Sequence, residues 1–252
     1  MRTVASTRSG WVIGGETFGP AGPRAAIWTS VDGRTWRRVD DDPAFDIGGY
    51  LDTGEEPSAG GITDIASVDG RTIAVGRTCD ERGELCSAAA WVSDDGRDWT
   101  RASVPVGSGP LSAVASFSGG FIAFVGDGSS PEEDPILVSA DGLVWHAVTP
   151  EGFPTGMEAR AAARVGDGVA VLVSHEGRLA VLGSSDGLEW TTLHSESFEL
   201  TQGVTPEPGT VVVADADMAE TRDGTVVVVG WVDTSNVEPS GMRFVYRVSA
   251  MP

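Results

Sequence analysis

The chain has 252 residues with 37 acidic and 17 basic side chains, every basic residue is arginine, and the net charge at pH 7 is −20. Such a charge repels phosphate backbones and anionic lipid, so we expect neither a nucleic-acid partner nor a membrane-surface role. No apolar run reaches the roughly 18 residues that a membrane span needs, and the N-terminal residues lack the pattern of a signal peptide.

Short apolar strands separated by glycine turns follow one another along the chain, and no segment has a persuasive helical period of 3.6 residues. The strands group into repeated units. Each unit has a strand of small residues, an apolar strand, a third strand and a last strand that opens with tryptophan. We predict units at about 1–40, 62–104, 111–150, 158–195 and 211–252, with an acidic insertion at 41–61.

A seven-residue pattern, Ser-x-Asp-Gly-x-x-Trp, occurs four times, and its aspartates are separated by 63, 46 and 45 residues. A period near 45 with four strands per unit is typical of propeller blades. We therefore predict an all-β fold, a single β-propeller domain over 1–252 with about five four-stranded antiparallel blades. No fourth strand follows in the fifth unit, which leaves a three-stranded last blade, a fragment of a longer ring, or an edge covered by another chain; of these we expect the three-stranded blade.

The repeated residues are predicted to be structural. Asp-Gly allows a tight turn between the third and fourth strands, and the carboxylate can accept main-chain N–H bonds across that turn. The serine hydroxyl can join this network, and each tryptophan can bury roughly 150–250 Å² between neighbouring sheets. The residues concerned are Ser30, Asp32, Gly33, Trp36, Ser93, Asp95, Gly96, Trp99, Ser139, Asp141, Gly142, Trp145, Ser184, Asp186, Gly187 and Trp190.

These residues resemble the Asp box, or bacterial neuraminidase repeat, of sialidase-like β-propellers, whose usual form is Ser-x-Asp-x-Gly-x-x-Trp. In all four copies here, glycine directly follows aspartate, one position earlier than in that form. The resemblance implies a propeller in which the boxes are structural and lie opposite the substrate face. The family includes sialidases, other glycosidases and sortilin-like receptors, so the resemblance does not choose between an enzyme and a binding protein.

The loops predicted on the face opposite the boxes are strongly acidic. Together they contain 20 acidic residues and two arginines. We expect this face to bind an unknown protein or glycan ligand, which makes the chain a non-catalytic binding module. Two alternatives remain open, a face that only keeps the protein in solution and a face that collects a divalent cation such as calcium. No calcium-loop sequence is present, so no metal or other cofactor is assigned. The loops are 16–24, 40–61, 78–87, 127–135, 194–210 and 233–242.

Cys79 and Cys86 are the only cysteines, and they flank a short loop within one predicted hairpin. We expect them to form a disulfide, with two reduced thiols or a metal pair as the alternatives. A disulfide would suggest an oxidising compartment, so we predict a secreted or cell-envelope location, and the all-arginine composition suggests a bacterial source.

The enzyme alternative is a glycoside hydrolase with carboxylates at the central channel. Such an enzyme needs two carboxyl groups facing each other across a sugar. The candidates are the acids that start the predicted inner strands and could approach the central channel, with the alternative that they only solvate its rim: Asp64, Glu158, Asp215 and Asp217.

Sialidase chemistry is disfavoured, because the family's Arg-Ile-Pro signature is missing and the only tyrosines are Tyr50 and Tyr246. Four tryptophans lie outside the repeated pattern, and we expect them in the core rather than stacked on sugars. They are Trp11, Trp28, Trp91 and Trp231.

Overall fold

The computed structural model is all-β, and its strands form five antiparallel sheets, numbered here as blades 1 to 5 in chain order. Blades 1 to 4 have four strands each and blade 5 has three. The fold class is therefore the predicted five-bladed β-propeller with a three-stranded last blade. The structure describes residues 2–19, 22–39, 43–45, 61–79, 86–105, 107–126, 136–154, 156–175, 178–197, 212–233 and 242–248.

Each blade is a simple meander in which consecutive strands pair. Blade 1 contains β1 Thr3–Thr7, β2 Gly10–Gly19, β3 Gly22–Ser30 and β4 Arg37–Arg38. Blade 2 contains β5 Gly61–Val68, β6 Arg71–Cys79, β7 Cys86–Ser93 and β8 Thr100–Arg101. Blade 3 contains β9 Leu111–Phe117, β10 Gly120–Val125, β11 Ile136–Ser139 and β12 His146–Val148. Blade 4 contains β13 Glu158–Val165, β14 Gly168–His175, β15 Arg178–Ser184 and β16 Thr191–Ser197. Blade 5 contains β17 Val212–Glu220, β18 Val226–Asp233 and β19 Met242–Val248.

Helix is almost absent from the described part of the chain, where a single 3-10 turn spans Pro43–Phe45. The chain divides into two compact units. The first comprises Met1–Ser116 and Gly120–Val148, and the second comprises Phe117–Gly119 and Thr149–Pro252.

In the first unit, apolar faces of successive blades pack against each other. Val12 and Ile27 of blade 1 share a buried cluster with Trp91 of blade 2. Phe45 adds its ring to this cluster, with its centroid 5.8 Å from that of Trp91 and 5.9 Å from that of Trp99. Trp91 is fully buried, as predicted for a core residue. The 3-10 turn therefore contributes directly to the core between blades 1 and 2.

The same arrangement recurs in the rest of the chain. Ile73 and Val92 of blade 2 pack with Phe121 and Trp145 of blade 3. In the second unit, the core contains Leu172 of blade 4 and residues of blade 5 such as Met218, Val226 and Val228. Each sheet thus buries one face against its neighbour, which is the condition for a sheet of this size to be stable.

The four repeated segments, called the repeat turns below, are Ser30–Trp36, Ser93–Trp99, Ser139–Trp145 and Ser184–Trp190. Each follows the third strand of its blade and carries the same hydrogen bonds. In the second repeat turn, Ser93 Oγ accepts from Gly96 N at 2.8 Å and donates to Asp95 Oδ1 at 3.1 Å. Asp95 Oδ1 also accepts from Arg97 N and Asp98 N, at 2.7 and 2.9 Å. The carboxylate therefore closes the turn by taking two main-chain donors.

The hydrogen bonds of the repeat turns lower the pKa of their aspartates. Main-chain N–H groups donate to each carboxylate and stabilise its charged form, which lowers the pKa of Asp95, Asp141 and Asp186 below the ordinary value of 3.8. For Asp32, the N–H groups of Thr35 and Arg34 lower the pKa to about 2.

In the second and third repeat turns, the glycine lies against the blade before it. Gly142 has a φ of +77°, and a Cβ placed there would lie 2.1 Å from Cδ1 of Ile73 on blade 2. Trp145 is 3% exposed, and its indole N–H donates to Gly142 O at 3.0 Å. Trp99 and Trp190 are each 5% exposed and make the same bond. A side chain would not fit where the glycine stands, so the turn seats directly on the neighbouring sheet.

Cys79 and Cys86 are directly opposite each other in the β6–β7 pair, and their sulfur atoms are disulfide-bonded. The bond closes the loop that joins these two strands.

Replacing Asp32 with asparagine should reduce stability most above pH 4. A carboxyl whose pKa is lowered by folding stabilises the native state above its unfolded pKa, and this stabilisation is lost as the pH falls from about 4 to about 2. The difference in urea midpoint between the wild type and Asp32→Asn should therefore shrink across that window. Asp98→Asn, in an exposed position on the second repeat turn, is the control. A difference that does not vary with pH would contradict the role given to the Asp32 charge.

Gly142→Ala should destabilise the protein by about 1–3 kcal/mol more than Gly107→Ala. Both positions have positive φ, so both variants carry backbone strain, but only position 142 would bring Cβ into Ile73. At Gly107 a Cβ would meet nothing within 4 Å. Chemical denaturation of the two variants measures the difference, and equal losses would show that the contact with blade 2 is not tight.

Candidate functional site

The predicted carboxylate candidates lie on the first strands of blades 2, 4 and 5. Asp64 is within β5, Glu158 begins β13, and Asp215 and Asp217 lie within β17. Only Glu158 therefore stands at the start of its strand, although all four were expected there. Asp64 belongs to the first compact unit and the other three belong to the second.

Asp64 and Asp217 occupy equivalent positions in their blades. Asp64 is opposite Val75, four residues after Arg71, and Asp217 is opposite Val229, four residues after Thr225. Arg71 and Thr225 are the first paired residues after the two turns. Each carboxylate also folds back onto its own strand, where Oδ1 accepts from the next main-chain N–H. The distances are 2.8 Å from Ile65 N to Asp64 and 2.7 Å from Met218 N to Asp217.

Asp64 differs from Asp217 in what surrounds it. Its Oδ1 also accepts from Thr3 Oγ1 on β1 at 3.0 Å, and its Oδ2 accepts from Val114 N on β9 at 2.9 Å. One carboxylate thus links the first strands of blades 1, 2 and 3. Thr63 strengthens the same region, because its hydroxyl donates to Leu111 O at 2.6 Å. We interpret Asp64 as a framework residue that aligns three strands.

Asp217 is exposed, and the bond from Met218 N leaves its other oxygen without a protein donor in the described part of the chain. A carboxylate held by one oxygen and open at the other has a fixed orientation and free lone pairs. Such a group can accept a proton or attack an electrophilic carbon.

Glu158 is held by an arginine that was not among the predicted site residues. Arg160 Nη2 donates to Glu158 Oε2, and Arg160 Nε donates to Ser174 Oγ at 2.8 Å. Ser174 is directly opposite Glu158 in the β13–β14 pair and is 4% exposed. The side chain of Glu158 is 29% exposed and that of Arg160 is 27% exposed, so solvent still reaches the pair.

A β-bulge explains how Arg160 reaches this position. The pairing of β13 with β14 shifts between Ala159 and Ala161, which leaves Arg160 as the extra residue. Bulges of this kind redirect a side chain and are frequent beside functional sites. The signal in the sequence is the Glu-x-Arg spacing, which would place both side chains on one face of a regular strand.

Glu158 and Asp217 lie on neighbouring strands of the second unit. Residues of β13 and β17 share one buried cluster, and Gly166 N after β13 donates to Glu220 Oε1 on β17 at 3.1 Å. The backbone of Asp215 lies opposite Trp231 in the β17–β18 pair, and its side chain lies outside the described residues. The candidate residues on these two strands are therefore Glu158 with Arg160, and Asp217.

The described residues contain no group of three or more side chains that could hold a metal ion. Most of the acidic loops predicted as a ligand or calcium face lie outside the described residues, including 46–60, 127–135 and 198–211. The proposals for that face therefore stay predictions. No helix in the described ranges is long and apolar enough to cross a membrane.

No family model matches the sequence, and no curated protein matches it. Solved structures do share the fold. A protein of unknown function from Dyadobacter fermentans is similar with a TM-score of 0.60 and 16% identity, over 99% of this chain and 76% of that chain. A sucrose-6-phosphate hydrolase from Lactobacillus gasseri has a TM-score of 0.52 and 13% identity, over 99% and 59%. The NanB sialidase from Streptococcus pneumoniae has a TM-score of 0.51 and 12% identity, over 90% and 36%. These similarities support a sialidase-like propeller fold.

Asp64→Ala should lower the free energy of unfolding by about 1–3 kcal/mol, because the variant leaves the buried Val114 N and the Thr3 hydroxyl without their acceptor. Asp217→Ala, at the equivalent position on β17, should cost much less, since it removes only a bond from Met218 N. Urea denaturation of the two variants checks the contrast. Equal stability losses would rule out the framework role assigned to Asp64.

Proposed function

We propose that the chain is a glycoside hydrolase whose catalytic carboxyl groups are Glu158 and Asp217. The observation that carries the proposal is the exposed carboxylate of Asp217, oriented through one oxygen by Met218 N, on a strand next to that of Glu158. Glycoside cleavage needs two carboxyl groups. One protonates the departing oxygen, and the other attacks the anomeric carbon or activates a water.

Arg160 would orient Glu158 within this site. Its guanidinium is anchored on the buried Ser174 hydroxyl and donates to Glu158, so Arg160 sets the position of the Glu158 carboxylate. A carboxylate fixed in this way loses little orientational freedom when a substrate binds, which favours catalysis. A hydrolase as the function is supported by two of the solved structures that share the fold, which are described as a sucrose-6-phosphate hydrolase and a sialidase.

A second candidate is a binding module without catalysis, and the geometry of Asp64 favours it. That carboxylate accepts from three donors of the framework, and the repeat-turn aspartates accept main-chain N–H groups in the same way. Several carboxylates are therefore engaged in the framework through these hydrogen bonds. In this reading the acidic loops bind a protein or glycan partner.

Two further proposals accompany either function. The repeat turns are Asp boxes in which the glycine has moved next to the aspartate, and they belong to the structural side of the propeller. The disulfide between Cys79 and Cys86 supports a secreted or envelope location, because such bonds persist in oxidising compartments.

The intact chain should release the chromophore from at least one member of a panel of aryl glycosides. Asp217→Asn and Glu158→Gln should each lower kcat by about 10²–10⁴-fold, because each removes a group that transfers a proton or attacks the sugar. Asp167→Asn is the matched control in the same unit, since its side chain is 90% exposed and pairs only with Arg164 among the described residues. Thermal midpoints of all three variants are measured alongside.

Hydrolysis that persists in both carboxylate variants would reject these two residues as the catalytic pair. If no glycoside is cleaved while a glycan array shows binding, the binding module is the correct function.

A further inference from the structure

The chain contains eight Asp-Gly pairs, four of them in the repeat turns, and each pair can rearrange its own main chain. The glycine nitrogen attacks the side-chain carboxyl carbon of the aspartate, and the nitrogen's proton leaves with the carboxyl hydroxyl as water. The five-membered imide that forms then takes up water at one of its two carbonyl carbons. One opening restores aspartate, and the other leaves isoaspartate, in which the main chain runs through the side-chain carboxyl. One water is lost and one is gained, so no other reactant is needed.

The fold restrains both reacting groups in the repeat turns. The glycine N–H of each turn donates to the serine Oγ at 2.8–2.9 Å, so the nitrogen that would attack is already engaged. The aspartate carboxylate is held by later main-chain N–H groups, as Asp95 is by Arg97 and Asp98. These bonds stabilise the charged carboxylate, whereas water can leave only from the neutral carboxyl.

Two further pairs lie in turns between the first and second strands of blades 4 and 5. Asp223 Oδ1 accepts from Thr225 N at 3.2 Å, and the N–H of Gly224 donates to Thr221 O at 3.0 Å, so this pair is restrained at both groups. Asp167 is paired with Arg164.

The pair Asp69–Gly70, in the turn between β5 and β6, lacks these restraints. Asp69 is exposed, and within the described ranges its carboxylate has no hydrogen bond and no ion pair. Its φ is +52°, and no other non-glycine residue in the described part of the chain has a positive φ. Residues with a side chain rarely adopt this conformation. Isoaspartate has one more rotatable bond in the main chain, so it can close the same turn without it.

Arg8, in the corresponding turn of blade 1, places a positive charge beside this pair. A Cβ built on Gly70 would lie 3.5 Å from each of Nε, Cζ and Nη1 of Arg8, so the guanidinium lies against this glycine. Attack by the glycine nitrogen puts negative charge on a carboxyl oxygen of Asp69, and a neighbouring guanidinium stabilises such a charge. Blades 1 and 2 belong to the same compact unit.

We propose that Asp69 is a site of spontaneous isoaspartate formation, promoted by Arg8, and that the repeat turns protect their own Asp-Gly pairs from the same modification. The bond between Gly70 N and Asp69 Cγ forms, and the bond between Gly70 N and the main-chain carbonyl carbon of Asp69 breaks when the imide opens. The turn between β5 and β6 thereby gains a methylene group in its main chain. The reaction is intramolecular, and it does not depend on the function proposed for Glu158 and Asp217.

The experiment incubates the intact chain for several weeks at neutral pH and physiological temperature. The protein is then reduced, cleaved with trypsin, and labelled by an isoaspartyl methyltransferase, which methylates isoaspartate. All basic residues are arginine, so Asp69 lies in the fragment 39–71 and Asp32 in the fragment 25–34, and each fragment contains one Asp-Gly pair.

In the native protein, label should accumulate at least about tenfold faster in 39–71 than in 25–34, because the hydrogen bonds of the first repeat turn must break before its pair can react. In urea the two fragments should be labelled at similar rates, since the fold no longer distinguishes them. This comparison needs only the wild-type chain. Equal rates in the native protein would overturn the proposal, and so would a contrast that persists unchanged in urea.

Two variants assign the reaction to the residues named. Asp69→Glu should remove the label from 39–71, because glutamate would have to close a larger ring. Arg8→Gln should slow labelling of 39–71 by about threefold or more, since it removes the charge beside the reacting carboxyl. Label that persists in Asp69→Glu would reject Asp69 as the site, and an unchanged rate in Arg8→Gln would reject the role of Arg8.

Ser30→Ala tests the protection by the repeat turns. This variant removes the oxygen that accepts from Gly33 N at 2.9 Å, so labelling of 25–34 should rise while that of 39–71 stays unchanged. Circular dichroism verifies that the variant is folded. Labelling of 25–34 that does not rise would overturn the protective role given to the serine.

Discussion

The blades depend on the side-chain to main-chain hydrogen bonds of the repeat turns. One aspartate oxygen accepts two main-chain N–H groups, and the serine hydroxyl accepts the N–H of the glycine, so a tight turn is closed without help from a longer loop. The glycine then adopts a positive φ and leaves no side chain between the turn and the preceding sheet. In the second and third repeat turns the glycine also contacts the preceding blade, so these two turns both end a hairpin and join two blades.

The first strands of blades 1 to 3 are aligned by the hydrogen bonds of a carboxylate side chain. These bonds distinguish Asp64, a framework residue, from Asp217, a candidate site residue. Asp64 accepts from β1, from β5 itself and from β9, which ties three blades through one carboxylate. Asp217 keeps only the bond within its own strand and remains exposed. The same residue type at the same register thus has two roles, because the hydrogen-bond donors around it differ. The surroundings of Glu158 are set by Arg160, because a bulge directs the guanidinium of Arg160 onto that carboxylate.

Blade 1 combines features that the other blades do not share. Its tryptophan beside the first repeat turn is exposed, its turn glycine is exposed, and its charge is positive in an acidic protein. The loops and turns of each blade vary while the strands that support them are kept, so one blade can differ from the others without a change of fold.

The sequence by itself determined the all-β architecture, the number of blades and the three-stranded last blade. These features rest on local signals, namely strand-length apolar runs, glycine turns and a pattern repeated at a constant spacing. The pairing of Cys79 with Cys86 was visible for the same reason, since the two residues flank one hairpin loop. Only the tertiary structure decided that Asp64 is bound by Thr3 and Val114, which are 61 and 50 residues away. It also decided that Trp91 is buried while Trp11 is exposed, because burial depends on the sheet that packs against a side chain and not on the residues beside it in the chain.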